Sequence, residues 1–261
     1  YYCILFTKLH KIIKESISIF IEGVLVMKVE VWSDYVCPFC YIGKRQLEKA
    51  IKDSGYEGQI DVTYKSYLLD PTTPVETTES VYESLSKKYN QPIEQIKAMT
   101  SNVAERAKEV GLSYNFEEMK AANTVKAHRL TKWVESQSKE LGAKFTEQVL
   151  QAYFIYGKAI GSDEELLAIV DSLGLNRKAA EEVLNNNTFM QEVEQDIYEA
   201  SQIGVRGVPF FVFNNKWGIS GAQPQQLFEK TIEQAAQDAG LKKNIQIVAE
   251  GSMCTDDSCD I

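Results

Sequence analysis

The chain has 261 residues, 44% of them apolar and 25% charged, a globular composition that excludes the disordered, collagenous and membrane-spanning classes. At roughly 150 residues per domain it is one large domain, or one domain carrying a big insertion. Asp and Glu number 37 against 28 Lys and Arg, a net charge of -9, so there is no basic footprint for phosphates and neither nucleic acid nor membrane is an expected partner.

Residues 1–26 read as an extension upstream of the domain, foreign to it. Lys8, Lys11 and Lys14 precede an apolar run, but Glu22 interrupts that run, no small-x-small cleavage site follows, and it is too short to span a bilayer. Translation is expected to start at Met27, because codons for Glu22-Gly23-Val24 can spell a purine-rich ribosome-binding sequence. A short amphipathic helix lying on the domain is the alternative. Cys3 falls in this segment and is assigned no role.

Met27 to Trp32 alternates apolar and polar residues and predicts a strand. Pro38 suits a first helical position, and Ile42, Leu47, Ala50 and Ile51 continue at helical spacing up to Gly55. A second strand, Ile60 to Leu68, stops at Asp70-Pro71-Thr72-Thr73-Pro74. Residues 27–79 therefore form a β-α-β unit. From 80 to 203 only amphipathic stretches appear, broken at Asn90-Gln91-Pro92, Gly111, Gly142, Gly161 and Gly174, and these predict a helical insertion packed on the sheet. Within it, Glu181-Glu182 and Glu192 to Asp196 read as solvated faces, and Tyr153, Phe154 and Tyr156 as a core cluster. The sheet resumes over 204–240: a strand from Val208 to Phe213, a turn at Asn214-Asn215, a hairpin partner from Lys216 to Ser220 and a helix from Gln225 to Ala239. Residues 241–261 read as a flexible, acidic tail carrying Cys254 and Cys259.

Five cysteines are too few for a secreted disulfide scaffold, and a cytoplasmic location is expected. Their placement carries more. Cys37-Pro38-Phe39-Cys40 lies between a strand and a helix start, where free N–H groups and a positive dipole end favour the first sulfur as thiolate. Two intervening residues on a helical turn keep the sulfurs within disulfide reach. Cys37 is the expected nucleophile and Cys40 the resolving thiol; a structural pair or half of a zinc site is the competing reading. Val208-Pro209 stands at the mouth of the strand expected beside this turn. A cis bond there would offer a backbone edge to a substrate chain, and an ordinary trans-proline fits the spacing equally well. No phosphate loop, metalloprotease motif or serine triad is present, and neither a cofactor nor a metal is expected.

Around these residues the chain resembles the DsbA-like thioredoxin family, and within it the FrnE-type cytosolic branch. The resemblance rests on Trp32 to Lys44, Asn123-Thr124 with Ala127 to Leu130, Gly204 to Phe213 and Ser220 to Gln223. It implies an α/β fold, namely a thioredoxin fold with a large all-helical insertion, a redox-active Cys37/Cys40 pair and a cis-proline at Pro209. It also implies substrate contact at Phe39, Val208 and Pro209, with Cys254 and Cys259 as a secondary redox pair; a four-thiolate zinc site shared with Cys37 and Cys40, or an incidental tail, are the competing readings of those two cysteines. Two positions depart from the pattern. Phe39 replaces the histidine of DsbA itself, implying a weaker oxidant, and Val31 replaces the buried acid of many thioredoxin-fold proteins. Asp34 is then the nearby candidate for proton transfer, with capping of the turn as its competing role. Asn123 and His128 are candidates for the substrate groove, against a hydrogen-bonded structural role for His128.

The implied activity is thiol-disulfide oxidoreduction of the protein disulfide oxidase or isomerase type. Its substrates would be protein or small thiols and disulfides, with glutathione or a thioredoxin-type reductant as partner. Glutathione-dependent isomerases or transferases of the 2-hydroxychromene-2-carboxylate isomerase type share the resembled fold but use a single Ser or lack the pair. A non-enzymatic holdase or polyketide-pathway accessory is the remaining alternative.

Overall fold

The computed structural model describes residues 20–21, 24–75 and 77–243. In the described part of the upstream extension, β1 (Phe20–Ile21) pairs antiparallel with β2 (Val24–Leu25), so these residues are strand and not helix. The tail with Cys254 and Cys259, and the segment with Cys3, lie outside the described residues.

The principal sheet has four strands in the order β4-β3-β5-β6, formed by β3 (Met27–Ser33), β4 (Ile60–Ser66), β5 (Phe210–Phe213) and β6 (Trp217–Ser220). β3 runs parallel to β4, with Met27 opposite Ile60 and Ser33 opposite Ser66. On its other side it runs antiparallel to β5, with Val29 opposite Phe213 and Trp32 opposite Phe210. β3, like β5, has a neighbour on each side, and from Val29 to Trp32 it is buried on both faces. Helix α1 (Pro38–Ser54) crosses from β3 to β4, and α9 (Gln225–Asp238) follows β6. The two helices pack on each other over one face of the sheet, where Leu47, Ala50, Phe228 and Ile232 meet Val29, Val31 and Phe211. Gly43 permits that approach near the active turn: a Cβ there would stand 2.9 Å from Phe211 Cζ and 3.2 Å from Pro209 Cγ.

The sequence-predicted insertion folds as α2 (Val81–Tyr89), α3 (Ile93–Lys108), α4 (Val125–Gln137), α5 (Lys139–Phe154), α6 (Asp163–Ser172), α7 (Arg177–Asn185) and α8 (Met190–Gln202). Local chemistry sets several of the boundaries. Ser80 and Glu83 form a reciprocal capping box on α2, and Ser138, Ser162 and Asn176 each accept an N–H at the starts of α5, α6 and α7. The helices share one apolar core, in which Leu130, Phe145, Val149 and Phe154 enclose Tyr35, Tyr41 and Ile42 from the active turn and the first turn of α1. Among the described residues no helix is long and apolar enough to cross a membrane.

The second face of the sheet is covered by α8, and here the acidic run departs from its expected solvated face. Asp196 is buried: it accepts the Ser66 N–H at 2.8 Å and pairs with Lys132 at 2.7 Å and Lys65 at 3.4 Å, while its carbonyl accepts the Trp32 indole N–H at 2.8 Å. Val193, Asp196 and Ala200 recur at helical spacing on the side of α8 turned to the sheet, so one acid of the run necessarily faces inward. Tyr156 departs in the opposite direction. It follows the end of α5 and is exposed, whereas Tyr153 and Phe154 are buried. The second strand ends at Ser66, two residues earlier than expected, and β5 starts after Pro209, which has no N–H for a ladder.

Replacing Asp196 by Ala leaves Lys132 and the Ser66 N–H without their buried acceptor. Removing one partner of a buried pair costs about 3 kcal/mol, so the urea midpoint should fall by the corresponding amount with the m-value unchanged. A loss no larger than that of an exposed acid such as Glu194→Ala would show that the network adds nothing.

Candidate active site

β3 delivers the chain to a tight turn in which the Cys37 N–H donates to the Asp34 carbonyl at 3.1 Å and the Cys40 N–H donates to the Cys37 carbonyl at 3.0 Å. Pro38 then opens α1. No side chain caps this helix start, and Cys37 itself occupies the capping position. The positive end of the helix dipole therefore falls on the first cysteine. Both cysteines carry free thiols, and both are buried.

Val208, 171 positions away in sequence, supplies the partner of the first sulfur: Cys37 Sγ donates to its carbonyl at 3.4 Å. The Val208-Pro209 bond is cis, and the Pro209 carbonyl is held in turn by the Gly221 N–H at 2.8 Å. Cys40 lies deeper. Burial first, then contact with Cys37, pushes its thiol well above the ordinary range, opposed by the Ser33 hydroxyl and the Asp34 backbone. The two sulfurs are thus unequal by position, one at the helix start against the Val208 carbonyl and the other beneath it.

The insertion buttresses this turn. Tyr114 donates its hydroxyl to the Pro38 carbonyl at 2.7 Å and stacks on Phe154 at 4.7 Å between centroids. Phe39, expected to bring apolar contact and no charge, receives a cation from α3: the Arg106 guanidinium lies 5.0 Å from its ring centroid and donates to the Ala222 carbonyl at 3.2 Å. The sequence contained no local sign of either contact, because each joins the cysteine turn to residues far along the chain.

Asp34 is almost wholly buried and its carboxylate is fully engaged. One oxygen accepts the Leu69 N–H at 2.8 Å and the other lies 3.2 Å from His128 Nε2. Its side chain therefore secures the loop after β4, while the active turn is closed by its backbone carbonyl. His128 packs against the Tyr35 ring at 4.8 Å between centroids. Asn123 donates to the Thr73 carbonyl at 2.8 Å and accepts the Val125 N–H at 3.0 Å, tying the 71–73 loop to the start of α4. Neither Asn123 nor His128 lines the groove where the sequence reading set them as candidates. Both are buried polar groups satisfied behind the turn.

A cavity of about 470 Å³ opens beside Cys37, between the turn, α2 and α3. Ile96, Met119 and Phe154 form its depth, and Leu69, Tyr89 and Met99 stand exposed at its edge. Phe39 belongs to its wall as well as to the cysteine turn. Among the described residues no group of His, Cys, Asp and Glu is arranged to hold a metal ion.

The family model of the DSBA-like thioredoxin domain matches residues 28–233. A probable DsbA oxidoreductase from Streptomyces coelicolor is 30% identical, with 90% of this chain and 99% of that chain covered at a TM-score of 0.76. The uncharacterized protein YwbO of Bacillus subtilis is 27% identical over 210 residues, 80% of this chain and 96% of YwbO. At the level of fold alone, the cytosolic disulfide reductase DsbM from Pseudomonas aeruginosa, solved with GSH, is 15% identical with a TM-score of 0.57, covering 80% of this chain and 99% of its own.

The raised Cys40 thiol holds its proton more tightly in the folded than in the unfolded chain. Its contribution to stability is therefore complete below the ordinary thiol pKa of about 8.5 and is lost as pH rises towards the raised folded value. Reduced protein should lose stability above that pH more steeply than Cys40→Ala, measured by urea denaturation under anaerobic conditions. Parallel profiles for the two proteins would show that the folded chain does not hold the Cys40 proton.

Proposed function

Because the chain belongs to the DsbA-like thioredoxin family, we propose that it works as a thiol-disulfide oxidoreductase on protein and small disulfides, with Cys37 as nucleophile and Cys40 as resolving thiol. The observation that carries this reading is the inequality of the two sulfurs. Cys37 sits at an uncapped helix start against the Val208 carbonyl and at the edge of an apolar cavity, whereas Cys40 is sealed beneath it with its proton held.

In the reducing direction the Cys37 thiolate attacks one sulfur of a substrate disulfide, forming a mixed disulfide and expelling the other sulfur as thiolate. Cys40 then gives up its proton and attacks the Cys37 sulfur, forming the Cys37–Cys40 disulfide and releasing the substrate's second thiolate. Two electrons pass from the dithiol to the substrate, and oxidation of a substrate dithiol is the same sequence in reverse. The backbone at Val208, held at the sulfur, provides an edge along which an extended substrate chain can pair. Bulky apolar side chains flanking a substrate cysteine fit the adjacent cavity.

The intact pair favours exchange over isomerase or transferase chemistry that relies on one nucleophile. A holdase role would leave the buried second thiol without purpose. Glutathione is the small thiol partner of this reading, and the cytoplasm is its compartment; the fold-level likeness to a cytosolic disulfide reductase solved with GSH supports both. The redox direction in the cell follows from the couple's potential measured against glutathione.

Reduced protein should accelerate insulin disulfide reduction. Cys37→Ser should abolish this, and Cys40→Ser should accumulate covalent mixed disulfides with substrate, visible on non-reducing gels. Wild-type turnover by Cys37→Ser would end the enzyme reading.

A further inference from the structure

We propose that Arg106 is a specificity-determining residue that recruits a carboxylate of the small disulfide exchanging at Cys37, oxidised glutathione being the chemical class; the inference rests on the oxidoreductase reading above. Three observations carry it. The guanidinium is placed over Phe39, the second of the two residues between the cysteines, at 5.0 Å from the ring centroid. Its orientation is fixed from the other side by the bond from Nη2 to the Ala222 carbonyl at 3.2 Å, in the loop whose Gly221 holds Pro209. And its charge is unspent: among the described residues no carboxylate stands within ion-pair distance of it, since the adjacent Glu105 pairs with Lys108 at 2.7 Å.

An arginine has five N–H donors in a planar fork, of which the Ala222 bond uses one. Stacking on an aromatic face and a single backbone bond hold the plane still without neutralising it, which lowers the ordering cost of accepting a carboxylate. The charged residues that line the cavity itself, Lys88 and Asp70, lie 3.8 Å apart and offset one another. Arg106, by contrast, sets an uncompensated cation on Phe39, a wall of that cavity. In a chain of net charge -9, a cation on the Phe39 ring offsets the general repulsion of an anionic disulfide.

Cys37 thiolate attacks one sulfur of oxidised glutathione, the glutathione S–S bond breaks, and one glutathione leaves as thiolate while the Cys37-glutathione disulfide forms. Cys40 releases its proton and attacks Cys37, which forms the intramolecular disulfide and frees the second glutathione. The dithiol loses two electrons and the glutathione disulfide gains them.

The test compares two disulfides on reduced full-length protein, oxidised glutathione and the uncharged bis(2-hydroxyethyl) disulfide, with formation of the Cys37–Cys40 bond followed by peptide mass mapping. The readout is the ratio of second-order rate constants, glutathione over neutral. Arg106→Gln should lower that ratio about tenfold, as expected for loss of a charge-assisted hydrogen bond, and Arg106→Lys, which keeps the charge without the fork, should fall between. Rising ionic strength should lower the wild-type ratio relative to that of Arg106→Gln, in which only the general repulsion is left to be screened. A ratio unchanged within about twofold in Arg106→Gln overturns the assignment whatever the absolute rates, because a folding defect or a shifted potential slows both disulfides together. A wild-type protein that exchanges with neither disulfide overturns the oxidoreductase reading and this inference with it.

Discussion

The 3.4 Å contact between the Cys37 sulfur and the Val208 carbonyl depends on everything between them in the chain. The polypeptide leaves the first cysteine through α1 and β4, makes a helical block over α2 to α8, and must return β5 antiparallel alongside β3 in one register. A one-residue slip of β5 would turn Phe211 and Phe213, both fully buried, to the opposite face. The registers that satisfy the core and the site are therefore the same register. The apolar burial of two phenylalanines sets where the Val208 carbonyl stands.

That coupling gives the insertion a role beyond size. It reaches the active turn through groups on α3, on α4 and in the connection between them: Arg106 on Phe39, His128 on Asp34 and Tyr114 on the Pro38 carbonyl. Each touches a different residue of the strand-to-helix connection, and each comes from a part of the insertion with its own place in the shared core. Burying a polar group such as Asp34 without partners would cost several kcal/mol. With the Leu69 N–H on one oxygen and His128 beside the other, it becomes a rigid link between the loop after β4, α4 and the turn. The cysteine turn is thereby held from three sides, and the sheet alone supplies only one of them.

Much of the fold was legible in the chain because it rests on short-range signals. Alternation marked β3, Pro38 and Gly55 bracketed α1, and the capping residues Ser162 and Asn176 announced helix starts inside the insertion. The cysteine pair declared itself by its position between a strand and a helix. What the sequence concealed was the partner of each polar group. Asp196 in an acidic run looked solvated, yet the run turns through a helix and one member had to face β4. Arg129 was visible only as a neighbour of His128, and the structure uses it to collect the carbonyls of Val183, Asn186 and Thr188 at the end of α7. Composition cannot distinguish such a residue from a surface arginine, since the acceptors are backbone atoms more than fifty positions away.

Phe39, the second of the two residues between the cysteines, is likewise defined by partners far along the chain. A histidine there acts through its own charge and hydrogen bonds, whereas Phe39 can act only through what its ring attracts. Its position as wall of the apolar cavity and platform for Arg106 makes one side chain the boundary between an apolar space and a cation. On the proposed reading, a disulfide that presents apolar surface would meet the cavity and one that presents a carboxylate would meet the guanidinium. The replacement of a charged or polar residue by an aromatic one in the turn therefore moves the electrostatics of the site from the cysteine loop to α3. On that reading, discrimination among disulfides belongs to the insertion and not to the thioredoxin-type core.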